Sequence, residues 1–170
     1  RYSIHGIVDA TDISRVSELS GLDEERCKEL IDYLGTHTDV VPSDDDAELE
    51  AIDYALASLA IEVAVTRHAG RLEQYYSPMG ISYMQTGKDL TAVKTVVVTG
   101  GALIHTKRTA EIASHALFSP IDAFSLKPKD AEVLVDRKYI LAAMGLLSTE
   151  YPDVALRIMK KEITVDGDPK

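Results

Sequence analysis

The chain has 170 residues, 45% hydrophobic and 27% charged, the balance of a globular protein rather than a disordered or fibrous one. This length suits one domain or two small lobes with a shared core. The formal charge is −10, and residues 1–60 carry 15 acidic and only 4 basic side chains. Because this acidic third would repel a phosphate backbone, nucleic acid is not an expected partner.

The sequence shows no sign of a membrane or secreted protein. No apolar run approaches the roughly 20 residues that span a bilayer, and no signal sequence opens the chain. Cys27 is the only cysteine, which excludes an intramolecular disulfide and cysteine clusters that bind zinc or iron–sulfur. We therefore expect a cytoplasmic protein with no membrane partner.

Three elements are predicted before residue 40. Residues 2–8 read as a strand, and residues 12–19 read as a short helical turn. A clearer helix is predicted over residues 23–35, because its first turn is acidic and Gly35 is a C-terminal stop. Cys27 falls on the apolar stripe of this helix and is expected to be a small buried hydrophobe rather than a reactive thiol.

The longest helical pattern opens at Ser43, its predicted N-cap. The acidic residues 44–46 suit the positive end of a helix dipole, so a structural role is favoured over a metal site. Apolar residues recur every three or four positions as far as about Tyr75, before Pro78 breaks the pattern. The alanines between them predict a central helix with close neighbours on more than one side.

The amino-acid pattern changes after Lys94. The β-branched run Val96–Val98 is typical of a parallel central strand. The later elements predicted in this half are a helix over 107–117, a strand over 133–135, a helix from its N-cap Asp136 to Ser148, and a helix from Pro152 to about Lys161. The predicted divisions of the chain are a helical part (1–86), a strand–glycine–helix part (87–161) and a loose tail (162–170).

Thr99, Gly100, Gly101 and Ala102 lie between a predicted strand and a predicted helix. Two glycines at the carboxyl end of a parallel strand let a ligand approach the backbone, and open α/β sheets bind ligands at that edge. A nucleotide is the natural candidate. A tight structural turn is the alternative, because the motif is neither the three-glycine dinucleotide fingerprint nor a lysine-containing phosphate loop.

The run Val97–Leu103 resembles the adenosine motif of the superfamily that joins actin, heat-shock chaperones and sugar kinases. A closer resemblance is to the glutamate mutase accessory proteins, the GlmL or MutL-type family. The segments that carry it are Gly87–Leu90, Leu103–His105, Val135–Leu147, His68–Arg71 and the opening Arg1–Ser3.

This resemblance implies a mostly helical α/β fold, the incomplete second lobe of an actin-like, ribonuclease H-like ATPase. It also implies an ATP-dependent accessory or reactivating factor for an adenosylcobalamin-dependent glutamate mutase. ATP with magnesium would then bind in the full-length protein, between this lobe and a missing N-terminal lobe. Neither phosphate loop of that superfamily is present here, so the chain alone is expected neither to retain nucleotide nor to turn over ATP.

Other polar residues have two interpretations each. Arg67 and Arg71 stand near the end of the long predicted helix, where cations complement the dipole, and a contact to nucleotide is the alternative for both. His105 and His115 lack a carboxylate at ligand spacing, so no metal site is predicted. The tyrosines in the loop around Pro78 form either an interaction patch or a cover over the core, namely Tyr75, Tyr76 and Tyr83.

Ala142, Ala143 and Gly145 are small residues in an otherwise bulky apolar helix. This pattern predicts a close contact, and the resemblance implies that the contact is with the missing lobe. An exposed apolar face could also be covered by self-association of the chain, and burial in an internal core is the alternative. Two rival functions stay open. One is a non-catalytic helical interaction module whose acidic half binds a basic partner, and the other is a fragment of a sugar or acid kinase from the same superfamily.

Overall fold

Helices dominate the computed structural model, which describes residues 4–37, 39–40 and 46–165, and the predicted mixed α/β class is confirmed. The α-helices are α1 (Ile4–Thr11), α2 (Ile13–Ser20), α3 (Glu24–Thr36), α4 (Ala47–His68), α5 (Gly101–Ile104), α6 (Thr109–Ser114), α7 (Leu141–Leu147) and α8 (Pro152–Glu162). The strands are β1 (Arg71–Ser77), β2 (Gly80–Thr86), β3 (Thr95–Val98), β4 (Glu132–Val135) and β5 (Thr164–Val165).

The first four helices share the larger of the two hydrophobic cores found among the described residues. Its fully buried members include Val16, Cys27 and Ile52, so the buried position predicted for Cys27 is confirmed. The strand predicted at 2–8 is wrong, because Ile4, Ile7 and Val8 lie in α1 and pack together on this core. Residues 1–3 lie outside the described part of the chain.

Aspartate N-caps begin three of these helices. The carboxylates of Asp12, Asp23 and Asp46 accept hydrogen bonds from backbone N–H groups at 3.0, 2.8 and 3.1 Å, as expected for residues that satisfy the first turn. The predicted N-cap Ser43 lies outside the described residues. The hydrogen bonds from Ser14 lower the pKa of Asp12 below its usual value.

Helix α4 packs against other helices on more than one side, which confirms the predicted central helix. It ends at His68 rather than near Tyr75. The chain leaves the helix at Ala69 because Gly70 crosses the strand end at Gly87, where the Gly70 N–H donates to the Lys88 carbonyl at 2.6 Å. The residues after Gly70 then form a β-hairpin.

The hairpin of β1 and β2 replaces the loop predicted around Pro78. Its strands pair in an antiparallel register from Arg71 opposite Thr86 to Ser77 opposite Gly80. Tyr76 is 77% exposed and Tyr83 is 59% exposed. In this chain the tyrosines therefore do not form the cover over the core that one interpretation expected.

A second, smaller core joins the three-stranded sheet to α5 and α6. Strands β3 and β4 are parallel, with Val98 opposite Val135, and both valines are buried in this core with Ala113. The predicted parallel strand at 96–98 is confirmed. Strand β5 pairs antiparallel to β4 and occupies part of the predicted tail, while residues 166–170 lie outside the described range.

Helix α7 begins at Leu141 and has no buried residue. Leu146 is 77% exposed, so the internal-core alternative for this helix does not hold within the described chain. Contact with another lobe or another copy stays a prediction. None of the helices in the described ranges has the length and apolar character that a membrane span requires.

We expect Ala143→Leu to change the free energy of unfolding by less than about 0.5 kcal/mol, because the residue lies on an exposed helix face. Urea unfolding at several protein concentrations checks this. A loss of about 1 to 3 kcal/mol, the usual effect of overpacking, would contradict the exposed placement of this face.

Candidate functional site

The ends of β3 and β4 place two separated segments at one edge of the sheet. The Asp136 N–H donates to the Val98 carbonyl at 2.9 Å, which continues the parallel pairing one residue past β4. Thr99 and Asp136 therefore leave the sheet side by side. This is the edge at which open α/β sheets bind ligands.

Gly100 has a backbone that side chains disfavour, with φ 111° and ψ 149°. Its carbonyl accepts hydrogen bonds from the N–H groups of Leu103 at 3.0 Å and Ile104 at 3.1 Å, which begins α5. A Cβ built on Gly100 would meet no atom within 4 Å. Glycine is thus required for the turn itself, and the space beside it is open.

Gly101 differs from Gly100, because it begins α5 and its φ lies outside the positive range. A Cβ on Gly101 would lie 3.4 Å from the Tyr139 hydroxyl oxygen. Tyr139 has a positive φ of 53°, which is uncommon for a bulky residue. The backbone strain that favours glycine therefore belongs to Gly100, and Gly101 allows the close approach of Tyr139.

Asp136 lies at the same edge of the sheet, directly after β4. It is 1% exposed, and its carboxylate oxygens accept hydrogen bonds from the N–H groups of Ile140 at 3.0 Å and Leu141 at 2.9 Å. The prediction that Asp136 is the N-cap is wrong, because α7 begins at Leu141 with Ile140 as its N-cap. A loop separates Asp136 from the helix, and its carboxylate reaches the first N–H groups across that loop. These two hydrogen bonds fix the loop that carries Tyr139.

A cleft with a volume of about 370 Å³ lies between these elements. This volume falls within the usual range for small-molecule sites. Its lining combines aromatic, aliphatic and backbone surfaces, which suit a flat heterocycle with polar edges. The residues that line the cleft are Thr99, Gly100, Asp136, Tyr139, Leu141 and Ala142.

The residues predicted from sequence to bind nucleotide do not all lie at one cleft. Thr99 and Gly100 line the cleft. Gly101 does not line it but lies next to the Tyr139 side chain. Ala102 is exposed on α5 and does not line the cleft. Arg67 lies at the end of α4 and lines another cleft. The role of all these residues in nucleotide binding stays a prediction.

Arg71 lies in β1 rather than in the long helix, and its guanidinium forms an ion pair with Asp122 at 3.4 Å. It does not line the cleft beside Gly100. Sequence reasoning did not assign Tyr139, Leu141 and Ala142 to the site. The signal that finds them is the pairing of β3 with β4, which brings the segment after Asp136 beside Gly100.

No group of three or more His, Cys, Asp or Glu side chains within the described residues is arranged to hold a metal ion. His115 instead lies 3.3 Å from Glu62 through its Nδ1 atom. His105 lies at the end of α5, where its backbone N–H donates to the Gly101 carbonyl at 3.2 Å.

Two comparisons with known proteins point to the same family. A family model described as MutL protein matches residues 1–163. The chain is 40% identical over 164 residues to the protein named MutL from Clostridium tetanomorphum, and the match covers 95% of this chain and 34% of that protein. The chain thus spans about a third of the length of this relative. No solved structure matches the chain.

Proposed function

The chain belongs to the MutL protein family, and on this premise we propose that it forms the nucleoside-binding part of an ATP-dependent accessory factor for an adenosylcobalamin-dependent glutamate mutase. The proposed ligand of the cleft beside Gly100 is the adenosine portion of ATP. The unit formed by β3, the helices α5 and α6, and β4 is proposed to belong to the second lobe of an actin-like ATPase.

One observation supports this function above the others. Gly100 adopts a conformation that favours glycine, follows the carboxyl end of the parallel strand β3, and lines a cleft of about 370 Å³. Gly21 and Gly80 also combine a positive φ with open space for a Cβ, but they lie at a helix end and a hairpin turn. The position of Gly100 beside the cleft at the end of a parallel strand is therefore what supports a nucleoside site.

The chain's own residues have separate roles in this proposal. Tyr139, Leu141 and Ala142 offer the apolar surface on which a purine base packs, and Gly100 lets the base or ribose approach the backbone. Asp136 acts indirectly, because its hydrogen bonds to the start of α7 fix the position of Tyr139. When bound, ATP with magnesium supplies the phosphoryl chemistry.

Gly101→Val tests this arrangement. The added side chain would press on the Tyr139 hydroxyl, so we expect the affinity for an adenine nucleotide to fall about tenfold, or about 1.4 kcal/mol. The melting temperature should change little, because Gly101 is exposed and its φ is not positive. Calorimetric titration of the full-length protein with ADP and a thermal melt separate the two effects.

Ala102→Val is the matched control, because it adds a similar side chain at the next position of α5 and does not line the cleft. It should bind ADP like the unmodified protein. Unchanged ADP affinity in well-folded Gly101→Val would contradict the nucleoside site and leave a structural turn.

A non-catalytic interaction module is the second candidate function, and the β-hairpin favours it. Met79 is 100% exposed and Tyr76 is 77% exposed, which is unusual for large apolar side chains close together. The ADP titration discriminates the two candidates. Binding supports the nucleotide-dependent factor, whereas absence of binding under saturating conditions supports the interaction module.

A further inference from the structure

The two edges of the β-hairpin differ in what lies beside them. Along one edge, β1 forms a bridge from Arg71 to Ser125. The Leu72 N–H also donates to the Phe124 carbonyl at 2.8 Å. Within the described part of the chain, no strand pairs with the other edge, which belongs to β2. Every residue of β2 is exposed, so its outward N–H and carbonyl groups are available for pairing.

Strand β2 lacks the features by which proteins usually protect a free edge. Edge strands are commonly very short, charged, interrupted by proline or twisted by a bulge. Strand β2 has seven residues, and its register with β1 is continuous as far as Ser77 opposite Gly80. It contains no proline, and residues 74–87 include no Asp, Glu, Lys or Arg. Such an edge is expected to pair with another strand.

The hairpin also has little support from the rest of the described chain, because its strands contact mainly each other. A two-stranded sheet is marginally stable in water unless further strands or another element pack on it. Tyr76 lies opposite Ile81, and Tyr83 is two residues further along the same face. The Tyr83 ring lies 6.4 Å from that of Phe124, whereas Ile81 is 56% exposed. This apolar face is therefore covered only in part.

A second copy of the chain fits this edge. Antiparallel pairing of β2 with itself about a two-fold axis at Tyr83 matches the strand over its whole length, with Gly80 opposite Thr86 at each end. Tyr83 then lies opposite its own copy, and aromatic pairs of this kind stabilise antiparallel sheets. The apolar faces of the two hairpins would join into one.

Charge favours the second copy over a charged partner. The chain carries a formal charge of −10, which opposes association of two copies through an acidic surface. Residues 74–87 bring no like charges together when they pair with themselves. A basic partner would instead be attracted to residues 1–60, which carry 15 acidic and 4 basic side chains.

We propose that the chain forms a two-fold dimer in which the β2 strands of two copies pair antiparallel about Tyr83, making one four-stranded sheet. The interface is isologous, because each copy contributes the same strand. It is separate from the cleft beside Gly100, whose lining residues lie outside the hairpin. The dimer therefore does not depend on the function proposed above.

Sedimentation equilibrium of the full-length protein over a range of concentrations tests this proposal, and it should show a reversible monomer–dimer equilibrium. Tyr83→Lys places two like charges directly opposite each other, so the dissociation constant of the dimer should rise about tenfold or more. Tyr75→Lys is the matched control, because it makes the same change of charge on the other face of the hairpin. It should dimerise normally.

A cysteine crosslink tests the register and stays informative if Tyr83→Lys perturbs the hairpin itself. Directly opposite residues have Cα atoms about 4.5 or 5.5 Å apart, which a disulfide can span. Tyr83→Cys should therefore give a disulfide-linked dimer under mild oxidation. Gln85→Cys should not, because residue 85 lies opposite Ile81 of the second copy and the two thiols would be about 13 Å apart. Cys27, the only native cysteine of the chain, is buried.

Leu146→Lys separates this interface from the exposed face of α7, and it should leave the dimer intact. The proposal would be overturned by a protein that is monomeric at all concentrations or by a dimer that Tyr83→Lys leaves unchanged. Crosslinking of Gln85→Cys as efficient as that of Tyr83→Cys would overturn it as well. Loss of the dimer in Leu146→Lys but not in Tyr83→Lys would assign the contact to α7 instead.

Discussion

Gly70→Ala is expected to destabilise the protein by about 3 kcal/mol or more, the upper range of overpacking effects. A Cβ on Gly70 would lie 2.2 Å from the Thr86 carbonyl oxygen and 2.7 Å from the Gly87 carbonyl carbon. Both atoms belong to the backbone, so neither can rotate away as a flexible side chain does. Urea unfolding followed by circular dichroism measures the change.

Gly145→Ala is the control for this substitution. Its Cβ would meet no atom within 4 Å, and alanine in a helix is favoured over glycine by about 0.5 to 1 kcal/mol. Gly145→Ala should therefore be as stable as the unmodified protein or more so. Near-normal stability of Gly70→Ala would show that the hairpin does not cross the chain at Gly70 as described.

Ala142→Leu is expected to reduce ADP affinity about 100-fold, or about 2.7 kcal/mol. The larger side chain would occupy the cleft that the base is proposed to fill, and Ala142 is exposed, so the fold should tolerate it. Fluorescence or calorimetric titration of the full-length protein with ADP, together with a thermal melt, checks both parts of this expectation.

Ala143→Leu adds the same volume one residue away, on the same helix, without lining the cleft. It should keep normal ADP affinity. If both variants bind ADP normally, the nucleotide does not enter this cleft. If both lose binding, the effect arises from α7 as a whole rather than from occupation of the cleft.

The elements that sequence reasoning predicted well carry their signals locally. Strands β3 and β4 are short β-branched runs, and α8 begins at a proline, which is favoured in the first turn of a helix. Helix α3 begins where an aspartate can cap it. Such signals need no knowledge of distant residues.

The elements that were predicted wrongly depend on tertiary contacts. The apolar repeat of α4 continues past His68, and nothing in residues 69–75 alone shows that Gly70 pairs with Lys88. Residues 4–8 fit a strand by composition, but their apolar side chains find the helical core. In both segments, packing against distant residues decides the local structure.

The residues of the candidate site likewise divide into those with a local signal and those that depend on tertiary contacts. Gly100 was identified from sequence because a strand, two glycines and a helix lie in one continuous segment. Tyr139 and Ala142 join the site only through the pairing of β3 with β4, which a single sequence does not display. The helix-end interpretation of Arg71 is wrong because the long helix was extended too far, and the hairpin instead places Arg71 beside Asp122. Its contact to nucleotide stays a prediction.

The measurement that tests the central claim most directly is an NMR titration of the isotopically labelled full-length protein with ADP. We expect the backbone amide resonances of Gly100, Gly101 and Tyr139 to shift together and to saturate along one binding curve. Resonances of the β-hairpin should not move. Saturable ADP binding that leaves the three amides unshifted and moves residues around Arg67 instead would contradict the nucleoside site beside Gly100.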